Sequence, residues 1–204
     1  MPSPLLVERS RMVTNLLTLY RQQVTPDDYQ LGLAWYPNAH RIVCEWADHY
    51  ERSIANVASI VAALSPQCSW ERNLIAADDV LAGNPVSIGG VLGANIAKAE
   101  RIYHDRASDI TTYFPHGPKV ASFAANLAGD WHFVTVDGHA LQAALADVTS
   151  TRTLRWSAYA AIAGAYQSAA WSVGIQPAHF QAILWHTWKR LNPPVVKRAV
   201  RRRW

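Results

Sequence analysis

Cysteine is nearly missing from this chain of 204 residues: Cys44 and Cys68 are the only two, without the number or spacing that a disulfide framework or a zinc site requires. Both are expected as reduced thiols. Charge is sparse as well, at 17% Asp, Glu, Lys and Arg against 50% hydrophobic residues, which excludes a charge-dominated disordered chain and supplies a sizeable core. Long apolar runs are lacking. No segment offers the roughly 18 uncharged residues of a membrane span, and Met1 to Met12 carries Glu8, Arg9 and Arg11 where an export signal would be apolar. An intracellular protein that does not enter membranes is the expectation. Glycine is limited to ten residues, beside nine tryptophans, eight tyrosines and many alanine-rich stretches, a balance that favours helices over strands and turns.

Acidic residues are absent from Lys189 to Trp204, a segment that holds seven of the 19 basic residues. The rest of the chain has twelve basic against 15 acidic residues, so the formal charge of +4 arises at one end of a nearly neutral body. Such a tail suits a local contact with a polyanion, and it equally suits a solvated segment that keeps the protein soluble.

Apolar residues recur at three- and four-residue intervals over 5–24 and 39–50, which predicts two helices with breaks at Thr25-Pro26-Asp27-Asp28 and Tyr36-Pro37-Asn38. From Ser53, the stripe Val57, Ile60, Val61 and Leu64 stops at Ser65-Pro66, because proline disfavours helix in the residue before it. Gln67-Cys68-Ser69-Trp70 is therefore expected at an exposed helix junction. Further helices are predicted over about 71–81 and 92–107. Phe114-Pro115-His116-Gly117-Pro118 then forms a tight turn before Val120, Phe123, Ala124 and Leu127 resume helical spacing. Asp137 is placed to cap a helix containing Leu141, Ala144, Leu145 and Val148, and two longer helices over about 154–173 and 177–191 complete an all-α fold.

Phe114-Pro115-His116-Gly117-Pro118-Lys119-Val120-Ala121, followed by Val134-Thr135-Val136-Asp137-Gly138-His139, resembles the signature of the endonuclease III and 8-oxoguanine glycosylase superfamily. In that superfamily a glycine-containing hairpin leads to a catalytic lysine, and a Val-Asp-x-His element follows about eighteen residues later; Lys119 and Asp137 are eighteen apart. Upstream, Ala63-Leu64-Ser65-Pro66-Gln67 is similar to the Leu-Ser-x-Gln segment whose glutamine fills the gap left by an extruded base. Asn95-Ile96-Ala97-Lys98-Ala99 is similar to the helix before the hairpin. The resemblance covers about 57–148.

The resemblance implies a two-lobed helix-hairpin-helix DNA glycosylase fold and a single helical domain over 1–192 with its hairpin and catalytic segment at about 108–148; the charge distribution adds a basic tail at 193–204. It implies a DNA glycosylase with AP-lyase activity, acting as a monomer on double-stranded DNA with a flipped base, in the cytoplasm of a bacterium or a phage-infected cell. No cofactor and no metal are expected. Lys119 would attack the sugar C1′ as a neutral amine and form a Schiff base, while Asp137 would stabilise the positive charge that develops on the sugar. Gln67 would fill the vacancy in the duplex, Trp70 would stack, and His139 would support the turn around Asp137. His116, Gly117, Arg201, Arg202 and Arg203 would contact DNA, with the arginines making binding salt-dependent.

Each of these residues also has a plainer use. A lysine at a helix start is commonly a solvated charge, an isolated aspartate is commonly a cap, and His179 and His186, seven apart without a third ligand, suit core or surface positions better than a metal site. The hairpin also departs from the superfamily: Pro115 stands where a glycine is usual, and Pro118 removes an amide donor beside Lys119. With no cysteine after Cys68, the four-cysteine iron–sulfur loop of endonuclease III is absent. Two other readings stay open: a phage-type enzyme that hypermodifies a base without releasing it, and a noncatalytic DNA-binding module.

Overall fold

The computed structural model describes residues 4–105, 109–150 and 156–193. Regular structure among them is all-α: α1 (Pro4–Gln23), α2 (Pro26–His49), α3 (Ile54–Leu64), α4 (Trp70–Leu81), α5 (Gly93–Asp105), α6 (Ile110–Tyr113), α7 (Pro118–Leu127), α8 (Gly138–Leu145), α9 (Trp156–Ser172) and α10 (Pro177–Leu191). No described helix is long and apolar enough to cross a membrane. Residues 193–204 were expected as the tail; Arg201, Arg202 and Arg203 lie outside the described residues, as do the predicted helix ends at 106–107 and 154–155.

Two buried apolar clusters divide the helices. The first joins Ala39, Val43 and Ala47 of α2 to α3, α4, α5 and α7, with Phe114 of the hairpin among its members. The second joins Leu16 of α1 to Val134, Val136, Leu141 of α8, Tyr166 of α9 and Phe180 of α10. A small third cluster, in which Tyr36 meets Ala178 and Ala182 with Trp35, Phe123 and Trp131 around them, lies where α2, α7 and α10 converge.

Helix α2 contributes to the first and third of these clusters, and it corrects a sequence expectation: the break predicted at Tyr36-Pro37-Asn38 does not occur, and Pro37 sits inside one helix of 24 residues. An interior proline removes one hydrogen bond and crowds the preceding turn at a cost of about 3 kcal/mol. Here the burial of Tyr36 and Ala39 on either side offsets it, since both are almost completely enclosed. The helix begins at Pro26 rather than at the expected residue 39, on a capping box in which Thr25 Oγ1 accepts the Asp28 N–H at 3.2 Å and Asp28 Oδ2 accepts the Thr25 N–H at 3.1 Å.

Two contacts seat α2 against α10. At Gly32 a Cβ would overlap the backbone of Ile183, so the two helices approach at a distance only glycine permits. Near their ends, buried Asp28 accepts from Arg190 Nη2 at 2.7 Å and from Arg190 Nε at 3.0 Å, while Arg190 Nη2 also donates to Gln23 O at 2.6 Å. Burial acts to raise the Asp28 pKa, but hydrogen bonds from Arg190 and Thr25 outweigh it and hold the carboxyl at about 2.

Candidate active site

The turn before Lys119 forms because Gly117 N–H closes onto Phe114 O at 3.2 Å and Pro118 occupies the first position of α7, where its missing N–H is harmless. Gly117 gives α7 no side-chain cap, so the amides of its first turn are left to solvent or a ligand. Lys119 is exposed in that first turn, and Phe123 follows four residues later on the same face. His116 is exposed on the turn itself.

Asp137 is fixed from three directions. Its Oδ1 accepts the Ala140 N–H at 2.8 Å and caps α8, as its sequence position predicted. Its Oδ2 accepts from Trp185 Nε1 of α10 at 3.0 Å. The connector before it is clamped by Tyr159 of α9, whose hydroxyl donates to Val134 O at 2.8 Å and accepts the Val136 N–H at 3.2 Å. Burial, with the Asp137 carboxylate adding to it, raises the pKa of Tyr159 and carries Tyr166 well above the ordinary tyrosine value. Both hydroxyls therefore stay neutral.

These elements face one cleft of about 820 Å³, within the span of about 300–1,000 Å³ usual for small-molecule sites. Lys119, Asp137, His139, Gln67 and Trp70 all line it. His116 and Gly117 do not; they stand on the hairpin outside its lining. Gln67 is exposed at the junction of α3 and α4 and adopts the left-handed conformation, φ 61°, which is unusual for a side chain other than glycine or asparagine.

The cleft also contains residues that sequence reasoning missed. Trp35 of α2 packs against Trp70 at 5.3 Å between ring centroids and against Phe123 at 5.9 Å, making a continuous aromatic wall. Tyr36 donates to Thr135 Oγ1 at 3.1 Å, and Asn126 Nδ2 donates to the same oxygen at 3.2 Å. Complete burial pushes the Tyr36 hydroxyl up to about 12. Gln181, buried beside this group, places its Oε1 3.4 Å from the Tyr36 hydroxyl. Asn73 of α4 lies at 1% exposure, and its Oδ1 has no hydrogen-bond partner.

On α10, Lys189 Nζ stands 3.9 Å from the Trp185 ring centroid, so the indole that binds Asp137 also carries a cation on its face. His186 lines the cleft with Nε2 unpartnered, and burial, followed by the charge of Lys189, lowers its pKa. His179 is buried and packs against Trp131 in a tilted contact, 4.6 Å between ring centroids. Among the described residues no group of three or more His, Cys, Asp or Glu is placed to hold a metal ion.

A second groove of about 840 Å³ runs between the end of α4 and α5, lined by Gly83, Asn84, Arg101 and Tyr103 among others, and none of its lining residues is a candidate catalytic or DNA-contacting residue.

No curated protein and no solved structure matches the chain. Residues 5–192 match a family of unknown function, DUF7178, and with nearly the whole chain covered, this protein belongs to that family.

Proposed function

We propose that the protein is a helix-hairpin-helix DNA glycosylase with AP-lyase activity, in which Lys119 is the nucleophile and Asp137 the electrostatic partner. The observation that carries this reading is the convergence of Lys119, on α7, with Asp137, at the head of α8, in the lining of one cleft that also receives Gln67, Trp70 and His139. In this scheme the duplex lies across the α6–α7 hairpin, whose uncapped α7 amides and His116 face phosphate, and the target nucleotide turns out of the stack into the cleft.

The chemistry follows from the two groups. The neutral amine of Lys119 attacks C1′ as the bond from C1′ to the base nitrogen breaks, and the base leaves with the bonding electron pair and takes up a proton. Positive charge gathers on the sugar meanwhile, and the Asp137 carboxylate opposes it. Both carboxylate oxygens already accept N–H donors, from Ala140 and Trp185, so the charge is held in place without reorganisation during the reaction. Opening of the sugar ring gives the lysine–C1′ Schiff base, and loss of a C2′ proton with departure of the 3′ phosphate cleaves the strand. Hydrolysis of the imine restores the amine.

Borohydride reduction tests this directly on a panel of duplexes carrying damaged and modified bases. A covalent protein–DNA adduct that disappears in Lys119→Ala, together with released base that disappears in Asp137→Asn, is the expected result. An intact DNA product of increased mass, with no released base, would instead favour base modification. Absence of both products, with DNA binding retained, would favour a noncatalytic module.

A further inference from the structure

Asn73 is buried, and its Oδ1 finds no hydrogen-bond partner among the described residues. It follows Trp70 by three residues on α4, so both side chains lie on the same helical face, and both line the cleft. Trp70 continues through Trp35 to Phe123, and Phe123 is one turn beyond Lys119 on α7. The aromatic wall thus connects the proposed nucleophile at one helix with the unpartnered Oδ1 of Asn73 at another. An enclosed acceptor left without a donor carries a desolvation penalty, and native structures remove such penalties with ordered water or with a ligand.

We propose that Asn73 is the base-reading residue of this cleft, and that its Oδ1 accepts an N–H from a neutral, planar nucleobase stacked on the wall of Trp35, Trp70 and Phe123. The substrate class is therefore a base that retains a ring or exocyclic N–H on the edge away from its sugar, rather than one recognised through shape and stacking alone. This rests on the reading of the cleft as the seat of an extruded base. It does not require that the base be released, because recognition and bond cleavage use different residues.

The test uses the full chain and small bases that imitate glycosidic attachment: 1-methyluracil, 1-methylthymine, 1-methylcytosine, 9-methyladenine and 9-methylguanine. Each is compared, by saturation-transfer NMR titration, with the analogue whose remaining N–H groups are methylated. Binding of at least one N–H base, weakened about tenfold or more by methylation, is expected, since one hydrogen bond to a buried partner is at stake. Asn73→Leu should reduce that binding about tenfold, leave the methylated analogue unaffected, and keep or raise the melting temperature, because it removes an unpartnered polar atom from the interior. A melting temperature lowered in Asn73→Leu, with both forms of the base losing affinity together, would assign Asn73 a structural role and overturn the proposal. So would equal binding of each base and its methylated analogue in the wild-type protein, a comparison that needs no variant. Base binding with the expected N–H preference but no borohydride adduct would leave this assignment standing and remove the glycosylase reading; an adduct with no N–H preference would do the reverse.

Discussion

Replacing Asp28 by asparagine tests how firmly α10, and with it one wall of the cleft, is held to α2. The carboxylate closes the capping box at Thr25 and takes two hydrogen bonds from Arg190; it is only 5% exposed itself, while the Arg190 side chain is 42% exposed and leaves the contact open to solvent on one side. Its pKa falls from the ordinary 3.8 to about 2, which at roughly 1.4 kcal/mol per tenfold change in proton affinity corresponds to about 2 kcal/mol. The sign follows from linkage: because the folded-state value is depressed, the contribution is complete above the unfolded-state value near 4 and drains away as pH falls through about 2. Asp28→Asn should therefore lower stability in urea by about 2 kcal/mol at pH 7, lower the melting temperature by about 4–8 °C, and show a deficit under about 1 kcal/mol at pH 2.5. A deficit of the same size at both pH values, or none at pH 7, would refute the reasoning by showing that the charge of Asp28 is not what holds the helices.

Trp185→Phe keeps the ring beneath Lys189 but removes the N–H that Asp137 accepts. On a substrate identified by borohydride trapping, the adduct should form about tenfold or more slowly, with DNA affinity within about twofold of wild type, since a hydrogen bond to a charged group contributes about 1.5–3 kcal/mol. An unchanged rate would remove Trp185 from any positioning role. Gln67→Gly should raise the melting temperature by about 1–4 °C, because a left-handed backbone costs a side-chain-bearing residue about 1–2 kcal/mol and glycine's extra chain entropy returns part of that. Adduct yield on duplex DNA should fall at the same time; a lower melting temperature would mean that the glutamine side chain supports the fold.

Local signals in the sequence account for much of the fold. Thr25-Pro26-Asp27-Asp28 announces the start of α2, Ser65-Pro66 marks the end of α3, and Asp137 begins α8 as a cap. Pro37 misleads because a proline's local preference opposes a longer pattern: the buried positions Asp28, Gly32, Tyr36, Ala39, Val43 and Ala47 continue one stripe at intervals of three and four straight through it. Following that phase would have identified one helix.

The site was legible where it depends on short segments and not where it depends on convergence. Gln67, Trp70, Lys119, Asp137 and His139 lie in or beside recognisable motifs. Trp185 reaches Asp137 across 48 residues, and Asn73 looks like any polar residue in the first turns of a helix until its burial is known. The nearest available hint for Trp185, His186 and Lys189 was that such polar and amphipathic side chains follow Gln181 at helical spacing, which describes one face of α10 without naming its neighbour.

The close approach at Gly32 also decides where the cleft can yield. Trp35 and Tyr36 on α2 and Gln181 and Trp185 on α10 belong to helices whose backbones touch, so the spacing between these groups is set by main chain against main chain. That side behaves as a fixed jaw. Trp35 meets Trp70 and Phe123 only through side chains, and rings can slide or re-stack at far lower cost than backbones can separate. A ligand that needs more room therefore gains it along this aromatic seam, on the side that carries Lys119, while Asp137 stays anchored to the jaw formed by α2 and α10.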